Sequence, residues 1–190
     1  MSIERRPSLL VIFLTVFIDL VGFGIVVPLV PLYGKHLVPE CVPAIWARGL
    51  VIGIIVAAFS AMQFLFSPVW GRLSDRHGRR PILLLSTAGA AVSYVLFALS
   101  AALARPLAAL LLMILSRMLA GLFGGNITVA QAYIADITPP EERSAKMGLI
   151  GMAFGLGFVL GPLLGAASSS KFGVTAPGWT AASLCALNFL

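Results

Sequence analysis

Apolar residues in this chain run in long blocks and do not alternate. Blocks at residues 8–33, 49–70, 81–103, 107–135, 147–167 and 179–190 are separated by short polar or basic segments. A helix rises about 1.5 Å per residue and a bilayer core is about 30 Å thick, so each of the first five blocks is long enough to cross a membrane. The sixth holds twelve residues, too few to span. The pattern predicts an all-α integral membrane bundle. The segments between blocks read as connections. Residues 34–48 hold Lys35, His36, Glu40 and Cys41, with Pro39 and Pro43 keeping a polar loop irregular. Residues 71–81 make a short basic turn. Arg105-Pro106 is a tight turn on the other side. Asp136 to Lys146, with Pro139, Pro140, Glu141, Glu142 and Arg143, is a rigid charged turn. Residues 168–178 form a last loop, and Trp179 is placed as an interface anchor.

Composition sharpens this picture. The chain is 59% hydrophobic and 11% charged, against roughly half and a quarter in soluble domains. A net charge of +6 could suggest nucleic acid, but the basic residues are scattered between apolar blocks without interleaved aromatics. They act as orientation signals. With the N-terminus inside, Arg5, Arg6, Arg72, Arg76, Arg79, Arg80, Arg143 and Lys146 fall on the inner side, and Lys35, Arg48, Arg105 and Lys171 on the outer. Eight against four favours a cytoplasmic N-terminus. The first block is too long for a cleaved signal peptide and no small-residue cleavage site follows it. Cys41 and Cys185 show no metal or redox spacing. There are no paired acids, no nucleophile with a base and no metal-ligand cluster, so the sequence offers no enzyme site, cofactor or metal site.

Polar residues inside the blocks are the candidate chemistry. Asp19 lies near the middle of the first, where a carboxylate costs about 2.5–3.5 kcal/mol to insert, so it must face the bundle interior or water. Gly22, Gly24, Pro28 and Pro31 follow it and suggest a bend or close packing. Gln63, in the second block, either lines a cavity or bridges two helices. In the fourth, Arg117 is a rare cation at membrane depth. Arg117, Gly121, Gly124, Thr128 and Gln131 are spaced 4, 3, 4 and 3 apart and form one stripe on a continuous helix, with Asn126 and Gln131 as candidate substrate contacts. In the fifth, Gly157, Gly161 and Gly165 share one face, Gly148, Gly151 and Gly155 the opposite one, and both faces can approach neighbouring backbones closely. Pro162 should bend that helix.

Four stretches resemble one family. Gly71-Arg72-Leu73-Ser74-Asp75-Arg76-His77-Gly78-Arg79-Arg80-Pro81 resembles the signature loop between the second and third helices of major facilitator superfamily transporters, with His77 where the family usually carries an aromatic. Asp19-Leu-Val-Gly-Phe-Gly-Ile-Val-Val-Pro-Leu-Val-Pro resembles the first helix of the tetracycline/proton antiporter branch, in which the acid is important for transport. That branch typically has an acid before a tyrosine in the third helix, where this chain has Ser93 before Tyr94. Arg117-Met-Leu-Ala-Gly-Leu-Phe-Gly-Gly resembles the fourth-helix motif, whose arginine is associated with proton coupling; Ala120 replaces its usual glutamine. Gly148, Gly157, Gly161, Pro162 and Gly165 match the antiporter motif of the fifth helix, with Ala166 in place of its closing glycine.

The resemblance implies the N-terminal six-helix half of a twelve-helix protein, ending inside the sixth helix and lacking its C-terminal half. It implies proton-driven efflux of a drug such as tetracycline, or of another small amphipathic molecule, across a bacterial inner membrane. The proton gradient is then the coupling ion, and the partners are a small-molecule substrate, the bilayer and the missing half. Protonation of Asp19 would shift the inward/outward balance, with Arg117 holding the carboxylate's charge. The loop of Gly71, Asp75, Arg76, Gly78, Arg79 and Arg80 would latch the inner face. Asp136 would pair with an arginine of that loop, Arg79 first, or remain a solvated surface acid. The alternatives are a uniporter or symporter for a sugar, organic acid or other metabolite, and a non-transporting membrane module.

Overall fold

Backbone groups in a membrane must bond within their own segment, so apolar blocks of this length become helices. A computed structural model of the chain, which describes residues 9–189, shows this. In order, the helices are α1 (Leu9–Val26), α2 (Leu29–Cys41), α3 (Ile45–His77), α4 (Arg79–Ala102), α5 (Pro106–Leu122), α6 (Asn126–Ile137), α7 (Arg143–Phe172) and α8 (Ala176–Phe189). A single 3₁₀ turn, Pro140–Glu142, precedes α7. Ser8, Arg5, Arg6 and Leu190 lie outside the described residues. Five stretches are long and apolar enough to cross a membrane: Leu9–Cys41, Ile45–His77, Arg79–Ala102, Pro106–Ile137 and Pro140–Phe172.

Several boundaries differ from the sequence reading. The first block is two helices, α1 and α2, meeting at Val27-Pro28, where proline has no N–H to continue the ladder. The expected polar loop at 34–48 is mostly helix. α2 carries Pro39 inside it and runs to Cys41, α3 begins at Ile45, and only residues 42–44 are non-helical. Arg48 ties this corner by donating from Nε to the Val42 carbonyl at 3.0 Å. The basic turn is shorter still. α3 continues to His77, and Gly78 alone (φ 93°, a conformation that favours glycine) links it to α4. Gly71 is therefore a helical residue and not a turn former. The fourth block is broken at residues 123–125 into α5 and α6, where one continuous helix was expected.

α1 lies along α7 and α8, α5 lies against α3 and α4, and α4 also packs on α8. The α1–α7 contact is between backbones. A Cβ added to Gly24 would sit 2.6 Å from the Gly157 carbonyl oxygen, and one added to Gly161 would sit 2.5 Å from the Gly24 carbonyl carbon. Gly157 faces Leu20 and Gly165 faces Ile25 in the same way. The face of Gly148, Gly151 and Gly155, expected to meet a neighbour too, has no atom within 4 Å of an added Cβ. Two apolar clusters fill the interior. One gathers Ile25, Val30, Ile55, Phe97 and Met113, the other Val16, Leu20, Trp70, Val129 and Ile134. Asp19, Ser86, Thr87, Ser93, Arg117 and Asn126 are among the buried polar residues.

Candidate functional site

The break between α5 and α6 shapes the site. It frees carbonyls at Leu122, Phe123 and Gly124, which a membrane interior would otherwise leave unsatisfied. Each receives a side-chain donor from another helix. Trp70 Nε1 donates to Leu122, Ser86 Oγ to Phe123, and Gln63 Nε2 to Gly124 at 2.9 Å. The ring of Phe123 covers Gly89, and Trp70 covers Gly125, with no room for a Cβ at either. The break is thus held by α3 and α4, and it turns the first residue of α6, Asn126, towards α1.

Asn126 meets Asp19 there. Its Nδ2 donates to Asp19 Oδ2, while its own Oδ1 accepts the Ile127 N–H at 2.8 Å and so fixes the amide's orientation. The other carboxylate oxygen accepts from Cys185 Sγ on α8 at 3.5 Å. Thr87 on α4 and Asn188 on α8 also turn polar atoms to the carboxylate. Asp19 is 6% exposed and Asn126 7%. The positive end of α6 adds a favourable field for a carboxylate. The same groups line a cavity of about 90 Å³, walled by Asp19, Gln63, Tyr94, Asn126, Phe23 and Phe59 among others. Gln63 therefore both lines the cavity and bridges α3 to α5–α6, the two readings its sequence position left open.

Arg117 does not hold Asp19. The ion pairs among the described residues are Arg79–Asp75, Arg79–Asp136 and Lys146–Glu142. Arg117 lies against aromatic rings instead, its guanidinium 5.9 Å from the Tyr94 ring centre and 5.0 Å from that of Phe97. It faces a second cavity, of about 80 Å³, lined by Phe23, Val27, Val30, Val56, Phe59 and Ser60. Phe23 and Phe59, ring centres 4.8 Å apart, divide the two spaces. Gln131 is exposed and does not line the Asp19 cavity, because the helix break interrupts the stripe on which its placement relied.

Where α3, α4 and α6 meet end to end, the Arg79–Asp136 pair is present. Arg79 Nε donates to Asp136 Oδ2 at 2.9 Å, and its Nη1 reaches Asp75 at 2.6 Å and Ser74 Oγ at 2.6 Å. One arginine thus joins the end of α3, the start of α4 and the end of α6. Arg76 and Arg80 are exposed and take part in no ion pair among the described residues. Tyr94, Cys185, Thr87 and Asn188 were not singled out in the sequence. Tyr94 carried a signal as the aromatic beside Ser93, and Thr87 as a polar residue inside the third block; Cys185 and Asn188 carried none, because α8 reaches Asp19 only through the fold.

A bundle of membrane-crossing helices around interior cavities that hold a few polar residues, two of its spans discontinuous, is the architecture of a solute carrier. The family profile of the Major Facilitator Superfamily matches residues 12–190, and the chain belongs to that family. It is 38% identical over 187 residues to "Tetracycline resistance protein, class C" of Escherichia coli, covering 98% of this chain and 44% of that protein. It is 38% identical to "Major facilitator superfamily domain-containing protein 10" of Homo sapiens over 184 residues, covering 86% and 39%. A solved structure, "Crystal structure of the human organic anion transporter MFSD10 (TETRAN)", superposes with a TM-score of 0.74 at 34% identity, covering all of this chain and 46% of that one. The chain thus spans less than half the length of these relatives.

Proposed function

We propose that this chain forms the N-terminal half of a secondary transporter of a bacterial inner membrane, with its N-terminus cytoplasmic, that exports a small amphipathic molecule in exchange for protons. The observation that carries the reading is Asp19. It is a buried carboxylate on a cavity wall, bonded to the Asn126 amide and the Cys185 thiol and facing no cation. An acid held by neutral donors has no counter-charge to lock its ionisation, so a proton can be taken up and released there. Its helix lies backbone to backbone on α7 through Gly24, Gly157 and Gly161. A change in charge at Asp19 is therefore delivered to the glycine-rich helix that the antiporter resemblance singles out. Arg79, bonded to Asp75 and Asp136, acts as the inner latch: it holds three helix ends together in one state and releases them in the other.

Five tetracycline resistance proteins among the relatives, 34–38% identical, favour a drug of that kind as the cargo. A second reading, an organic anion as cargo, is favoured by the unpaired Arg117 and by the likeness to the human organic anion transporter. In everted vesicles carrying the whole polypeptide that contains these residues, Asp19→Asn is expected to abolish proton-dependent drug uptake. Uptake still driven by the proton gradient in that variant would overturn the role given to Asp19.

A further inference from the structure

A charge without a counter-charge is the most costly thing a membrane interior can hold, and Arg117 is one. It is 2% exposed, and neither its Nε nor its Nη2 has a hydrogen-bond acceptor. Two aromatic rings flank it. The ring of Phe97 lies 5.0 Å from the guanidinium carbon and that of Tyr94 at 5.9 Å. Such contacts stabilise a cation but accept no N–H bond. The free donors of a guanidinium lie in its plane as a fork that matches a carboxylate. Arg117 lines the cavity of about 80 Å³ whose other walls are Phe23, Val27, Val30, Val56, Phe59 and the hydroxyl-bearing Ser60.

We propose that this second cavity is an anion subsite, distinct from the Asp19 cavity, which receives the carboxylate of an organic acid. The carboxylate takes the free Arg117 N–H groups, and the apolar body lies against Phe23 and Phe59. The polar content of the cavity points to this class. One guanidinium and one hydroxyl suit a single carboxylate, and apolar walls suit an aromatic or aliphatic remainder better than a sugar or a polyphosphate. Phe23 and Phe59 also wall the Asp19 cavity, so a bound body would touch the partition between the two sites. The inference rests on the transporter reading only for the ligand's role as cargo; its binding stands apart from that reading.

The test uses the whole polypeptide in nanodiscs, with equilibrium binding of radiolabelled benzoate and of its neutral isostere benzamide. Benzoate is expected to bind and benzamide to be lost in the background. Arg117→Gln should weaken benzoate roughly 30-fold or more, the effect of removing one member of a desolvated charge pair. Arg117→Lys, which keeps the charge and loses the fork, should fall between them and guards against a merely misfolded Gln variant. Equal binding of benzamide and benzoate, no benzoate binding to the parent protein, or full benzoate affinity in a folded Gln variant would each overturn the proposal. Arg117-dependent binding without benzoate movement in proteoliposomes would leave the subsite standing and count against transport of this class.

Discussion

Gly148 and Gly161 belong to the same helix and the same motif, yet their surroundings predict opposite responses to one methyl group. At Gly161 an added Cβ would meet the Gly24 backbone at 2.5 Å, and a backbone cannot step aside like a flexible side chain. Gly161→Ala should therefore cost about 1–3 kcal/mol through forced displacement of α1. At Gly148 the added atom meets nothing within 4 Å. Gly148→Ala should then be neutral or stabilising by up to about 1 kcal/mol, since alanine is the better helix former. Reversible unfolding of this chain in mixed detergent reads both, and equal losses at the two positions would contradict the α1–α7 contact. Residues of this kind also show what the sequence discloses. Asp19 and Arg117 stand out because charge at membrane depth is rare, and both prove to be buried and to line cavities. Their expected partnership does not follow from their depths. They line different cavities, and nothing in the two local sequences encodes that.

At the scale of elements, the discontinuity between α5 and α6 was illegible for a definite reason. The run from Ala120 to Gly125 is apolar and glycine-rich without a proline, so it reads as uninterrupted helix. What stabilises the break is remote. Trp70, Ser86 and Gln63 stand 52, 37 and 61 residues from the carbonyls they serve. By contrast, a turn at Gly78 was readable from a glycine among basic residues, whereas the Arg79–Asp136 pair, 57 residues apart, was implied only by the family resemblance of the loop. Removing a donor while keeping its bulk tests the break. Trp70→Phe, Gln63→Leu and Ser86→Ala should each destabilise the chain by about 0.6 kcal/mol, and by no more than about 1.7, the range for hydrogen bonds between membrane helices. Losses are to be compared with those of an exposed control such as Leu163→Ala, at a position 62% exposed. Donor variants no less stable than the parent would mean that the carbonyls find other partners.

For the whole molecule, the five crossing stretches alternate in direction, which puts His77 and Lys171 at opposite surfaces. Both are exposed. In a Cys41→Ser background, with Cys185 buried and so inert, a cysteine at position 77 should react with an impermeant maleimide only in everted vesicles, and one at 171 only in right-side-out ones. The reverse pattern would invert the orientation drawn from basic residues. The class of architecture was legible from block lengths alone, because the bilayer's thickness sets them. Which helices touch was not, since every block is apolar on nearly all sides. α3 illustrates this: Ile54, Phe64 and Leu65 remain exposed here, and hydrophobicity by itself does not say whether lipid or protein covers them.

The glycine seam between α1 and α7 has a mechanical meaning. With backbone pressed on backbone and no side chains between, the two helices have no padding that could absorb relative motion. α7, at 30 residues, is a rod of roughly 45 Å. Pro162 lies beside Gly161, within the seam, so the point where the rod flexes most readily is also the point where it is clasped. A bend there must carry α1 with it. The depth of the Asp19 carboxylate in the membrane and the tilt of α7 are then one coordinate, and neither can be reset alone.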